Sequence, residues 1–498
     1  MNKRILFVVK NLYTMERLGV MQVAAQARQL GWETELAVSD AGTYPALLDR
    51  VRSWQPEILA FSAMSPEYPH LESLAEQLHR ETGRFVLMGG AHPTFFQDII
   101  ERPFIQAVAF GEADLSFPAF LERFADGQDY TGTAGMHFHL DGHIVRNPPA
   151  PLVGDLDLLP FPDRDLMVRA NPLLRHNRSH IFMAGRGCPN ACTYCFNHRY
   201  NRMFRDHGKL FRRRSVDHLL REMEAVRDQF GMVFAYIDDD IFTFCPQEWL
   251  EEFAEAYPRR VGVPFMVNVH VNFIDEPQIR LLKQAGCEVI CFGIECGDEA
   301  VSNQLLKRNI RNDKILELAR LLRRYGIRFM TQNILALPVE HPLEVDLRTL
   351  DLNIRCQPKY AVAHLFYPLP GTELAAYTES HGFLPQAADD LPERTNSYSA
   401  LVFADPAEKM RVQRLHKLFG LTVSFRWLRP LVPLLIRLPL GSLYSLLFVA
   451  WYGFSMRFRL EKTKKSGPEI LFLLKSLFQS LTSFLRRPAC PKKPRRAS

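Results

Sequence analysis

Two blocks of alternating strand-like and helix-like segments, separated by a proline-rich stretch, constrain this chain more than any other feature. In the first block, strand-like runs at 5–9, 34–38, 58–62, 85–88 and 107–110 alternate with helix-like stretches at 18–30, 44–53 and 70–81. In the second, runs at 181–183, 233–237, 265–269, 289–292, 329–335 and 360–365 alternate with helices such as 216–230 and 313–325. Alternation at this spacing builds parallel sheets covered by helices. The first block predicts an open α/β sheet, and the second predicts six βα units in a partial (β/α)6 barrel. Both architectures bind ligands beyond the carboxyl ends of their strands. In the first block Ser62, Gly89-Gly90 and Gly111-Glu112 occupy those ends. Pro148, Pro149, Pro151, Pro160 and Pro162 stiffen the segment between the blocks into an extended connector. The expected division is a first domain over 1–135, a linker over 136–175, a barrel over 176–390, a helical region over 391–485 and a basic disordered tail over 486–498.

A chain of 498 residues is expected to build more than one core. Its net charge is +6, but 486–498 holds six Lys or Arg and no acid, so the body is near neutral. The folded part lacks the basic face of a nucleic-acid binder, and no such partner is expected. Nine cysteines form an odd count, and Met1–Lys10 lacks signal-peptide architecture. Both point away from a disulfide framework and toward a reducing cytoplasm.

Three of the cysteines are clustered. The segment from Gly185 to Asn197 places Cys188, Cys192 and Cys195 as Cys-x3-Cys-x2-Cys just after a strand. A cubane [4Fe-4S] cluster usually takes four thiolates, so three leave one iron open to a small ligand. A Cys3His zinc site completed by His198 is the alternative. Cys245, Cys287, Cys291, Cys296 and Cys356 are scattered. They read as packing residues or as a fourth ligand to a purely structural cluster, with a substrate-side role open for Cys245 and Cys296.

The cysteine loop resembles that of the radical S-adenosylmethionine (SAM) superfamily, and later segments fall where that family has its own motifs. The resemblance implies that Tyr194 lies near the adenine, and that Asp238, Asp239 and Asp240, ending the second barrel strand, receive the methionine ammonium. Glu295, in Gly293-Ile-Glu-Cys296, is similar to the ribose-contacting acid. Asn333 to Glu340 resembles a Gly-Leu-Pro-Gly-Glu pattern, except that Ala336 and Val339 replace both glycines. The main chain at Ala336 is expected beside the adenine in an altered approach. Pro370-Gly371-Thr372 is similar to the family's closing turn.

The front block resembles the flavodoxin-like, Rossmann-type cobalamin-binding domain that precedes the radical barrel in one large class. Ser62, Gly89, Gly90, Gly111 and Glu112 then fall to cobalamin. Many such domains carry Asp-x-His-x-x-Gly after the first strand. Here Glu16-Arg17-Leu18-Gly19 stands there, with no histidine before His70, so the lower cobalt position is expected to hold water or nothing, with His70 and His92 as the alternatives. The resemblance implies a [4Fe-4S] cluster, SAM and cobalamin. It implies methyl transfer to an unactivated carbon, through a 5′-deoxyadenosyl radical and methylcobalamin. The layout is also similar to the anaerobic magnesium-protoporphyrin ester cyclases, whose radical starts an oxidation or ring closure, and a non-catalytic cobalamin sensor is a third reading. A flavodoxin or ferredoxin is the expected electron donor.

The stretch 438–456 has no charged residue, and 470–485 is a second apolar helix. Trp427, Trp451 and Tyr452 suit a membrane interface. The pair reads as a helical cap over the open side of the barrel, as a peripheral contact with the inner face of a membrane, which favours a lipid-like substrate over another small molecule, or as a membrane span, since 438–456 is 19 residues long.

Overall fold

The computed structural model describes residues 2–12, 16–39, 43–384 and 398–461, with single positions 463, 467, 469, 470, 473 and 475. The expected basic tail at 486–498 and most of the apolar stretch at 470–485 lie outside the described residues.

The front sheet holds β1 (Arg4–Val9), β2 (Glu33–Val38), β3 (Ile58–Ser62), β4 (Phe85–Gly89), β5 (Ala107–Ala109), β6 (Met136–Leu140) and β7 (His143–Arg146), in the order β2-β1-β3-β4-β5-β6-β7. The first five are parallel, as their apolar runs predict. The central strands are buried on both faces because helices cover both sides: Ile5, Phe7 and Val9 pack into one core, and Leu6 and Val8 into the other, while the edge strand β2 keeps Glu33 exposed and Glu35 half-buried. The strand order reverses between β1 and β3, which opens a crevice at their carboxyl ends.

The linker expectation needs correcting. Residues 136–146 are not connector; β6 and β7 extend the front sheet antiparallel beyond β5. Met136 and Phe138 point into the core while the strand's histidines alternate with them. Asp141 and Gly142 take left-handed conformations, φ +50° and +78°, and close a tight turn. Helix Arg164–Ala170 in turn packs on β2.

The second sheet begins with β8 (Ser179–Phe182). A short antiparallel hairpin, β9 (Gly185–Arg186) with β10 (Arg212–Arg213), follows. Then come β11 (Phe234–Ile237), β12 (Phe265–Val269), β13 (Cys287–Glu295), β14 (Arg328–Leu335) and β15 (Tyr360–Leu365). β8 and β11 to β15 lie parallel in chain order, which is the expected six-stranded partial barrel. Side chains alternate along each strand. Ile290 and Phe292 face the helices, and Val289 and Cys291 face inward.

The C-terminal region closes the inward face. Helix Pro406–Ser424 lies along β15, with His416 Nε2 3.0 Å from Ala363 O. Helix Gly441–Phe454 packs on that helix, and Trp451, Met456 and Leu460 join the inward residues Met266, Met330 and Val362. Of the three expectations for this region, the cap is what its buried side forms. The uncharged stretch yields a helix of only 14 residues, broken where Pro439 precedes it. Among the described residues no helix is long and apolar enough to cross a membrane.

Candidate active site between the two sheets

The cysteine loop leaves the barrel after β8 and is held from below by Asp239. The Asp239 Oδ1 accepts from the main-chain N–H groups of Ala184 (2.6 Å) and Gly185 (3.1 Å), and Arg213 Nη1 lies 3.2 Å from its other oxygen. Thr193 Oγ1 donates to Leu305 O at 2.7 Å and fixes the middle of the loop. Cys195 caps helix Phe196–Phe204, its sulfur accepting from Asn197 N at 3.5 Å. Burial pushes the Cys195 thiol up to about 12, with Cys192 and Cys188 adding to the rise, and burial also raises Cys188. Thiols in this state keep their protons until a metal displaces them.

The donor set fits a cubane better than a lone zinc ion. Among the described residues no three His, Cys, Asp or Glu side chains converge as one ion requires, whereas a cubane takes each thiolate on a separate iron. His198, the fourth ligand of the zinc alternative, is engaged elsewhere, 2.9 Å from Glu373 and 2.7 Å from Arg202. Cys287, Cys291, Cys296 and Cys356 are buried members of the apolar cores.

Beside the loop, Tyr194, Glu295 and Arg308 form one buried cluster. Arg308 Nη1 donates to Tyr194 OH at 3.2 Å and lies 3.9 Å from Cys192 Sγ, while Nη2 donates to Gly293 O at 2.6 Å. Glu295 sits at φ +61° and folds back over Gly293, where a Cβ would meet its Oε1 at 2.2 Å. The glycine of this motif makes room for the acid. Burial raises the Glu295 carboxyl, against the pull of Arg308 and a hydrogen bond with Tyr194. Sequence reasoning missed Arg308, which lies 13 positions past the motif glutamate with no local pattern to mark it.

The three aspartates divide. Asp238 accepts from Asn268 Nδ2 and Asp240 from Asn197 Nδ2, each at 2.8 Å. Asp240 adds to the raised state of Cys188 and Cys195. Asp239 is spent on the loop turn, so it is a positioning residue where a binding residue was expected. Ala336, fully buried, keeps the left-handed conformation a glycine would take, φ +60°, and its N–H donates to both oxygens of Asp346.

The front-domain residues meet at a cavity of about 350 Å³. Phe7, Ala60, Ser62, Leu87, Gly89 and Gly90 form its floor, and Leu159, Pro160 and Pro162 one side. Met183, Gly185 and Arg186, from the chain just before the cysteine loop, form the roof. His70 and His92 do not line it: His70 is 2.7 Å from Ser39 O, and His92 stacks between Tyr68 and Phe96. Gly111 and Glu112 line it, but the Glu112 carboxylate is committed to Arg186 and Arg212, and Asp114 also pairs with Arg186. These pairs join the front domain to the barrel. Gly90 has φ +101° and ψ −166°, a region open essentially to glycine alone. A Cβ there would also stand 2.9 Å from Ala63 O. Gly90→Ala is expected to lower unfolding stability by about 1–3 kcal/mol in denaturant titrations and to release corrinoid on gel filtration.

Two family models match these two halves: the B12 binding domain over residues 5–121, and the radical SAM superfamily over 183–348. The chain is a radical SAM protein with a B12 binding domain. It is 24% identical over 432 residues to an uncharacterised methyltransferase of Pyrococcus horikoshii, covering 83% of this chain and 88% of that one. The cobalamin-dependent S-adenosylmethionine radical enzyme OxsB, solved with aqua-cobalamin, superposes with a TM-score of 0.67 at 13% identity, over 97% of this chain and 81% of that one. The radical S-adenosylmethionine methyltransferase TsrM of Kitasatospora setae, solved with cobalamin and a [4Fe-4S] cluster, gives 0.62 at 17%, over 82% and 81%. Both structures share the fold of B12 domain, half-barrel and helical C-terminus. The chain is a radical SAM enzyme, and its cofactors are a [4Fe-4S] cluster, SAM and cobalamin.

Proposed function

We propose that this enzyme transfers a methyl group to an unactivated carbon of a small or lipid-like acceptor. One observation carries the reading: the cavity between Ser62, Gly89 and Gly90 is roofed by Met183, Gly185 and Arg186, the residues that lead directly into the cysteine loop. A methyl donor above the front sheet and a radical source at the cluster thereby share one mouth. Bound there, the cofactors supply a 5′-deoxyadenosyl radical and a transferable methyl group.

The protein's own groups bind, orient and exclude water. Cys188, Cys192 and Cys195 hold the cluster. Asp238 and Asp240, each carrying one side-chain amide partner, would take the methionine ammonium, and Tyr194, Glu295 and the main chain at Ala336 would hold the adenosine. Arg308 fixes Tyr194 and compensates Glu295. Ser62, Gly89, Gly90 and Gly111 accept the corrinoid's nucleotide tail and rim. A volume of about 350 Å³ is at the low end of pockets for drug-sized ligands, about 300–1,000 Å³, so it suits that tail and not the whole macrocycle. No imidazole of the front domain lines the cavity, so none of the front-domain histidines would serve as a ligand to the corrinoid. A low-potential donor such as flavodoxin or ferredoxin completes the system.

The test is anaerobic. The protein is reconstituted with iron, sulfide and hydroxocobalamin, then given SAM bearing a labelled methyl group, a reductant and candidate acceptors. Label in the product together with 5′-deoxyadenosine is expected. Product carrying water-derived oxygen or a new ring, with no label, would instead support the cyclase-like reading.

A further inference from the structure

The capping helices bury one side and leave the other bare. More than half of the large exposed apolar side chains in the described chain fall between Phe425 and Ile470. Trp427 is 69% exposed and Leu434 60%, Phe425, Leu431, Leu443 and Leu446 are exposed as well, and the rings of Phe425, Trp451, Phe454 and Phe458 meet in succession with centroids 5.1 to 5.6 Å apart. They come from successive short elements, Arg426–Leu431, Val432–Leu435 and Gly441–Phe454. Isolated exposed apolar residues are ordinary, but a contiguous set marks an interaction surface.

Charge identifies the partner. From Lys409 to Leu460 the chain carries nine Lys and Arg and no Asp or Glu. Some are paired, as Arg429 is with Asp351 at the surface and Arg457 with the buried Glu461. Arg426 and Arg437 are exposed, in sequence beside the open Trp427 and Leu434. Aromatic and aliphatic side chains flanked by arginines, on helices too short to span, are the composition of a surface that lies in a lipid interface. The acid-free edge favours an anionic leaflet. A two-fold dimer through the same face would set these arginines against the same acid-free segment, whose neighbouring Asp351 is already paired with Arg429.

We propose that the face formed by residues 425–458 docks on an anionic lipid surface, with Trp427 and Leu434 among the acyl chains and Arg426 and Arg437 at the phosphates. The inference is independent of which reaction the enzyme performs.

Flotation of the full chain with vesicles tests it, using phosphatidylcholine alone and an equal mixture with phosphatidylglycerol, at low and high salt. The protein is expected to float with the anionic vesicles and to be released by salt. Arg426→Gln with Arg437→Gln should lower partitioning roughly fivefold for each arginine. Trp427→Ser with Leu434→Ser should abolish it while leaving the melting temperature unchanged, because both side chains are exposed. Failure to float with anionic vesicles overturns the proposal, as does equal binding to neutral ones. If both double variants bind like the parent, another segment such as 486–498 is responsible and the proposal falls. A dimer by light scattering that the Trp427/Leu434 variant splits, with no vesicle binding, gives the face to a second copy and likewise overturns it.

Discussion

Alanine at Cys192 is expected to abolish 5′-deoxyadenosine formation while hydroxocobalamin stays bound. Disturbing the partners around a metal ligand commonly costs about 10- to 100-fold, and removing one of three ligands exceeds that, so the loss should be about a thousandfold or more. The corrinoid cavity is walled by other residues, so bound cobalamin after gel filtration should match the parent. The visible absorbance of the cluster and the deoxyadenosine assay are read on one sample. Retained deoxyadenosine production would remove Cys192 from the cluster and with it the assignment of the loop. A loss of cobalamin as well would show that the variant had failed to fold its interface. Cys291→Ala is the control, because that thiol packs in the barrel interior.

Arg164→Met is expected to destabilise the protein by about 3–5 kcal/mol, the range for breaking a buried charge network at one partner. Arg164 donates to Glu16 at 2.7 Å and to Glu222 at 2.8 Å, and all three side chains are buried. Glu16 also accepts from Ile181 N and contacts His180 Nδ1, both at 2.8 Å, so the loop after β1 is latched to the first barrel strand. This is the stretch where many relatives of the front domain would present a histidine to cobalt; here its described residue serves the domain interface. Burial alone would push the Glu16 carboxyl up, but Arg164 and the hydrogen bonds from His180 and Ile181 outweigh it and hold it at about 2, below the ordinary 4.5. A group lowered in this way contributes its stability in full above pH 4.5 and loses it as pH falls toward 2. The shift corresponds to about 3 kcal/mol. The stability gap between the parent and Glu16→Gln, from urea melts, should therefore be widest near neutrality and narrow between pH 4.5 and 2. A gap independent of pH would contradict the latch.

Most of the parallel strands were legible to within a few residues because most are short apolar runs buried on both faces, a local signal. The cysteine loop was legible because spacing alone specifies it. The hairpin β6–β7 went unread although its Asp141-Gly142 turn is a strong local cue, because the adjoining prolines suggested extended chain. Among Asp238, Asp239 and Asp240 the residues themselves are identical, and only their alternating directions separate the one that grips the loop from the two beside it. Arg308, Arg164 and Glu16 were invisible for a different reason. A buried charge is tolerated only through partners far along the chain: Arg164 and Glu222 are 58 positions apart, and Arg308 and Cys192 are 116. No window of sequence contains both ends of such a pair.

The cavity roof has a consequence for how the enzyme is loaded. Were a guest too large for the cavity to be taken in whole, the barrel would have to part from the front sheet and break the pairs of Glu112 and Asp114 with Arg186 and Arg212. Apparent affinity is then the intrinsic affinity scaled by the fraction of molecules standing open. Weakening those four side chains would speed uptake and loosen the fold together, so cofactor loading and resistance to unfolding draw on the same contacts in opposite directions.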